Sequence, residues 1–404
     1  MPNDNGPTGG IVHEIRWSDA LPWWILFRAA GAAFSPTVIL LAALGATAVW
    51  AGCSVADRLG LVVPVGSLPL AAQADGISLV SPDGGPMAAS DPLVPTLSLL
   101  PWVHEAVGQL PVGIRSAFRL LVIPFSPAAS VAAVAAAAAR IGWFVLVWAI
   151  FGTAITRTVA LKLAGEEPPG PIGALAYGAR KWPPALNSVL FVLIGIAALS
   201  VPGGLLGLAM RTEWGLAFAA AVWPLVLLGA VVLAILAIGV TAGWPLMVAA
   251  VGVERGDSFQ AISTAFSYLY QRPLHYAFYL LIAAVVAVPT LAVAGLFADA
   301  IGGLAMWAAS FGMGHERTQS VLDGLAEAGP LAESWALQVL RFWSRGLANL
   351  LGSFGWGYFW AIATATYLVL RQDVDGTQLD EVVLDEPGSG SDSAKPEEPA
   401  VTPA

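Results

Sequence analysis

Arg140 is the residue whose type and setting most invite chemistry. It interrupts the run AAVAAAAARIGWFVLVWAIF (132–151), which is otherwise without a formal charge. A guanidinium at the centre of a bilayer costs about 2.5–3.5 kcal/mol on the insertion scale, so a cation in such a run needs a reason. One reading is a buried cation that binds an anionic substrate or a partner carboxylate. The other is a side chain that reaches out to the head groups, with Arg157 marking the opposite boundary 17 residues on. Around it the usual catalytic constellations are missing from the sequence. There is no HExxH, no Walker-type glycine loop and no pair of His at ligand spacing, and His13, His104, His275 and His315 are scattered. Cys53 is the only cysteine, which excludes an intrachain disulfide and a cysteine-rich metal site. The expectation is a protein without cofactor or metal, and not an enzyme. An enzyme would require Asp75, Asp83, Asp91, His104 and Glu105 to converge from one loop.

Asp257 and Gln260 carry a local signal of a different kind. An acidic residue followed three places later by Gln reads as a capping box that starts a helix. Phe259, Ile262, Phe266, Leu269 and Tyr270 then share one helical face, and Arg272 precedes the Pro273 that ends the helix. Within this stretch, Arg255–Asp257 spells RGD, read here as a helix start rather than an adhesion motif. WAGC at Cys53 resembles a lipoprotein cleavage site but follows 52 residues that include Glu14, Arg16, Asp19 and Arg28. DVDG at Asp373–Gly376 lacks most ligands of a calcium loop.

The elements that hold these residues are set by composition. The 404 residues are 57% hydrophobic and 11% charged, with a mean hydropathy of +0.75, whereas a soluble chain carries about 25% charge. Such a chain cannot clothe its apolar surface in water, so the fold class is an all-α integral membrane protein. The net charge of −9 misleads. Nine acids and one Lys fall within 373–404, and the remainder offers no basic footprint for nucleic acid.

Six segments reach the roughly 20 apolar residues that a crossing needs: 36–56, 138–157, 185–209, 216–242, 274–298 and 350–371. Residues 214–253 form one run of 40 without a charge or His, about 60 Å if helical, so a bend or break is expected at Pro224 or Pro245. Connections 157–183 and 252–272 hold six basic residues in 48 positions, against seven in 135 for 57–126, 202–215 and 299–349. That bias puts both termini on the cytoplasmic side of a bacterial inner membrane. Residues 1–35 form a cytoplasmic N-terminus with a surface helix near 14–28, and 372–404 an acidic, largely disordered tail. The helix starting at Asp257 is expected to lie on the inner leaflet as an amphipathic elbow. A second elbow, Gly173–Trp182, stops at Pro183-Pro184. A shift of 87 residues superposes the two elbows, through a duplicated unit or through shared membrane composition. In the outer loop 299–349, Ser334, Gln338, Arg341 and Arg345 form a polar stripe opposite Trp335, Val339 and Phe342.

Ser353, Gly357, Ala361 and Ala365 recur every four residues and make a ridge that lets a second helix approach. That helix belongs to the same chain, to a second copy or to a membrane-protein partner. The lipid bilayer is the one partner the composition requires.

GWPLMVAAV (243–251), ERGDSFQAISTAFSYLYQRPLHYAFY (254–279), TYLVLRQDVDGTQLDE (366–381), RTVALKLAGEE (157–167) and ALAYGARKW (174–182) together resemble uncharacterised multi-pass membrane proteins of planctomycete-type bacteria. The surface-helix-then-span unit is more distantly similar to the membrane domain attached to some glycerophosphodiester phosphodiesterases, whose catalytic site has no counterpart here. The resemblance implies a polytopic membrane protein and no activity. The function expected is a non-enzymatic scaffold or accessory subunit of a membrane or envelope assembly. The alternative is a transporter or lipid-handling permease, with Arg140 and a proline break marking its path.

Overall fold

A computed structural model describes residues 21–61, 130–325 and 334–378, and these are 91% helical with no strand. After a 3-10 turn at Pro22–Trp24 come α1 (Ile25–Ala33), α2 (Pro36–Arg58), α3 (Val131–Ala164), α4 (Pro171–Ala209) and α5 (Glu213–Glu254). Then follow α6 (Ser258–Gln271), α7 (Pro273–Met313), α8 (His315–Leu325), α9 (Trp335–Gly352) and α10 (Phe354–Asp375). Local chemistry sets the ends. Proline opens α2, α4 and α7, where its missing N–H would be unpaired anyway. Ser130, Thr212 and Asp257 accept from the third residue beyond them at 3.1, 3.1 and 2.8 Å. Gly165, Gly314 and Gly376 take positive φ at helix ends, as does Arg255, the one non-glycine to do so among the described residues.

Five helices, α2, α3, α4, α5 and α7, are long and apolar enough to cross a membrane, and the chain is a polytopic membrane protein. The sixth expected segment is also a helix, but it is the axis of the bundle. Every residue of α10 from Trp360 to Arg371 is buried, with α1, α2, α3, α5 and α7 packed around it. Its Gly, Thr, Tyr and Trp make it less apolar than the other five, as a helix enclosed by protein rather than lipid can be. Four of the five lipid-compatible helices, α2, α3, α5 and α7, thus pack against the enclosed helix, while α4 packs against α3 and α5.

Several expectations are corrected. No break occurs in α5, which runs through Pro224 and Pro245 for 42 residues, about 63 Å. Nor is 173–182 a separate elbow, since α4 continues through Pro183, Pro184 and Pro202 for 39 residues. Packing supplies the support that the prolines remove: a Cβ at Gly178 would sit 2.2 Å from the Ile150 carbonyl oxygen, so α3 and α4 touch backbone to backbone. The helix begun by Asp257 is separate, yet it folds back along α5 instead of turning across its end. Gln260 meets Glu254, Phe266 lies against Gly239 and Tyr270 donates to the Ile235 carbonyl, so rising numbers in α6 meet falling numbers in α5. At its N-terminal side the chain differs too. Six of the nine residues of α1 are buried, against α10 and α3; α1 overlaps only 25–28 of the surface helix expected near 14–28, whose first seven residues lie outside the described residues. Helix α7 extends 15 residues past 298, so much of the expected outer loop 299–349 is helix. On α9, Arg341 of the expected stripe donates to the Gly324 carbonyl at 2.5 Å, while Trp335 and Phe342 of the opposite face are exposed. The outer loop 57–126 beyond Leu61, the first 20 residues and the tail from 379 lie outside the described residues.

The two regions related by the 87-residue shift pack alike. The C-terminal part of α3 meets the start of α4, with Gly178 against Ala154, and the C-terminal part of α5 meets α6, with Ala265 beside Gly243. They differ at Arg272, whose φ of −131° and ψ of 52° separate α6 from α7.

Candidate functional site

At one end of the bundle the helix ends converge on Glu254, the last residue of α5. Its carboxylate accepts from Tyr367 of α10 and from Gln260 Nε2 of α6 at 3.0 Å, and Arg371 Nη1 of α10 stands 4.0 Å away. Charges withdrawn from water in this way need such partners, because an isolated one costs several kcal/mol. A second phenol, Tyr268 of α6, packs its ring 5.5 Å from that of Tyr367 and donates to Asp375. Burial, then the hydrogen bond to the Asp375 carboxylate, raises the Tyr268 phenol far above its ordinary value and holds it as a donor. A third, Tyr279 of α7, donates to Asp373 at 2.6 Å. Three phenols thus tie three carboxylates across α5, α6, α7 and α10.

The C-terminus of α5 is further held by its open carbonyls. Tyr177 donates to the Val251 carbonyl at 3.0 Å and Lys181 Nζ to that of Arg255 at 2.9 Å, both cationic or hydroxyl groups suited to a helix C-terminus. Arg157 of α3 is 1% exposed, and its guanidinium carbon lies 5.3 Å over the Tyr177 ring. Beside it α3 and α5 come into close contact: a Cβ on Gly252 would be 2.1 Å from Thr156 Oγ1. Deeper in the bundle Trp148, Trp244, Trp356 and Trp360 fill the space between α3, α5 and α10, with Trp148 and Trp356 stacked at 4.3 Å. The chemistry open to this end is cohesion: each acid has a donor and each helix end is tied to a neighbour. Among the described residues, no group of three His, Cys, Asp or Glu could hold a metal ion.

Arg140 lies apart from this lattice. Its Nη2 contacts Asp57 Oδ1 at 2.5 Å and the Leu61 carbonyl at 2.8 Å, and its Nε donates to the same carbonyl at 3.1 Å. The carboxylate considered for it from sequence is therefore on the same chain, at the end of α2. A cavity of about 430 Å³ adjoins the pair, walled by Gly52, Cys53, Val55, Ala56, Leu59 and Trp143 among others.

The other candidates are dispersed. Asp257 caps α6 through Gln260 N, while the Gln260 side chain turns to Glu254 instead of completing the box. Arg272 is exposed at the α6–α7 junction. The ridge of Ser353, Gly357, Ala361 and Ala365 is buried inside this chain, and a Cβ on Gly357 would meet Val38 of α2 at 3.1 Å. Missed in the sequence were Glu254, Tyr367, Arg371 and the burial of Arg157. The one signal available was that these charges close the apolar runs of three segments at the same membrane side. Neither family models, curated proteins nor solved structures gave any match to the chain.

Proposed function

We propose that the chain is a non-enzymatic, polytopic protein of a bacterial inner membrane, a scaffold or accessory subunit of a membrane or envelope assembly, with both termini cytoplasmic. We also place it with the multi-pass proteins of planctomycete-type bacteria that its motifs resemble. The observation that carries the reading is surplus apolar helix. The charge-free run of α5 is 40 residues, about 60 Å, against a hydrocarbon core of about 30 Å. Apart from Ala219 its buried residues all lie from Gly239 onward, and Phe218, Leu225, Leu228 and Val231 stay exposed. On the adjoining half of α4, Gly195, Gly203 and Gly207 have nothing within 4 Å, which leaves room for a second helix to approach closely. One crossing with modest tilt does not absorb that length, and a helix partner does.

A transporter or lipid-handling permease needs a polar path to mid-membrane. Where α3, α5 and α10 meet, that volume is occupied by the four tryptophans, which favours the scaffold. Purification in mild detergent followed by native mass spectrometry is expected to retain a stoichiometric partner or second copy, lost in the Gly203→Leu/Gly207→Leu variant. A lone monomer, or a partner indifferent to that variant, contradicts the proposal.

A further inference from the structure

The Arg140 cavity joins three features that no structural role requires together. Its walls are apolar, its volume of about 430 Å³ lies within the 300–1,000 Å³ or so of ligand clefts, and its exposed rim residues Val55, Leu59 and Trp143 continue the apolar outer surface of α2 and α3. At its mouth is the opposite-charge pair of Arg140 and Asp57. Arg140 uses Nε and Nη2 on Leu61 and Asp57, and its guanidinium also interacts with the Cys53 thiol on the cavity wall. Asp57 uses Oδ1, leaving Oδ2 open on a side chain 60% exposed. An apolar hollow would not need a polarised mouth if it held only a hydrocarbon, and a lone cation would be expected if it held a simple anion.

We infer that this is a binding site for a zwitterionic membrane phospholipid with a primary ammonium head group. One acyl chain occupies the cavity, the phosphate meets the Arg140 guanidinium and the ammonium donates to Asp57 Oδ2. Both contacts are charge-assisted hydrogen bonds. A trimethylammonium head cannot donate to Asp57, and an anionic head without an amine meets its repulsion. Gly52 is part of the fit: a Cβ there would be 1.9 Å from Trp143 Nε1, so the indole lies directly on the α2 backbone and shapes the wall. The site is independent of the scaffold reading.

Cys53 lines the cavity and is the only cysteine, so the lipid dependence of its reaction with a maleimide, compared within each variant, reports occupancy. The full chain is placed in nanodiscs of phosphatidylcholine, alone or with phosphatidylethanolamine or phosphatidylglycerol. Phosphatidylethanolamine is expected to slow labelling roughly tenfold, as a ligand in tenfold excess over its Kd would, with phosphatidylglycerol having little effect. In Asp57→Asn the protection should pass to phosphatidylglycerol. In Ala56→Trp, which fills the cavity and leaves both charges, labelling should cease to depend on the lipid. Equal rates in all three lipids, whether fast or slow, overturn the inference, as does protection that survives Ala56→Trp or ignores Asp57→Asn.

Discussion

Glu254 touches side chains from two other helices and closes α5, so its removal should be felt well beyond its own turn. Glu254→Ala removes the acceptor of Tyr367 and Gln260 and the carboxylate 4.0 Å from Arg371, and should cost about 3 kcal/mol. Tyr367→Phe removes one hydrogen bond to a charged acceptor and should cost about 2 kcal/mol. Because both act on one network, the double variant should lose less than the sum of the two. Denaturant titration in detergent micelles checks this, and strict additivity would mean that the lattice is not cooperative. At this scale the sequence was legible only where partners are close along the chain. The Asp257 cap could be read because its acceptor and donor lie three residues apart. The Arg140–Asp57 and Tyr367–Glu254 contacts span 83 and 113 residues, and nothing in either neighbourhood names the other.

Between elements, the glycines divide sharply by what surrounds them. Gly178→Ala would force a methyl against the Ile150 carbonyl and should cost about 1–3 kcal/mol by prising α4 from α3. Gly203→Ala, on the same helix with nothing within 4 Å, should be neutral or stabilising by up to about 1 kcal/mol. Paired thermal unfolding of the two variants reads the difference; similar losses would contradict the packing described. Helix positions were readable because a charge-free run of sufficient length has few other fates in lipid. Helix ends were not. Pro183-Pro184 and Pro245 signal a break in water, but here the helices continue through them, packed closely against α3 and α6. The fold-back of α6 was hidden for the same reason, since its apolar face reads identically whether it meets lipid or α5.

For the molecule as a whole, the division of labour is between a cohesive end and extended apolar arms. All three phenol–carboxylate pairs belong to the converging helix ends, whereas Arg211 and Glu213 sit at the far turn of the α4–α5 hairpin. Composition alone announced the membrane class, and the small-residue ridge announced a helix contact. That the ridge serves the chain's own axis could not be read, because a sequence does not say which helix is surrounded. Helix α4 must connect opposite sides of a bilayer if the chain crosses it as proposed. In a Cys53→Ser background, single cysteines at Glu167 and Arg211 should respond oppositely to a membrane-impermeant maleimide added to intact cells. Arg211→Cys is expected to label and Glu167→Cys to stay shielded until the cells are opened. Equal labelling of both positions from outside, or recovery of the chain in the aqueous fraction without detergent, would contradict it.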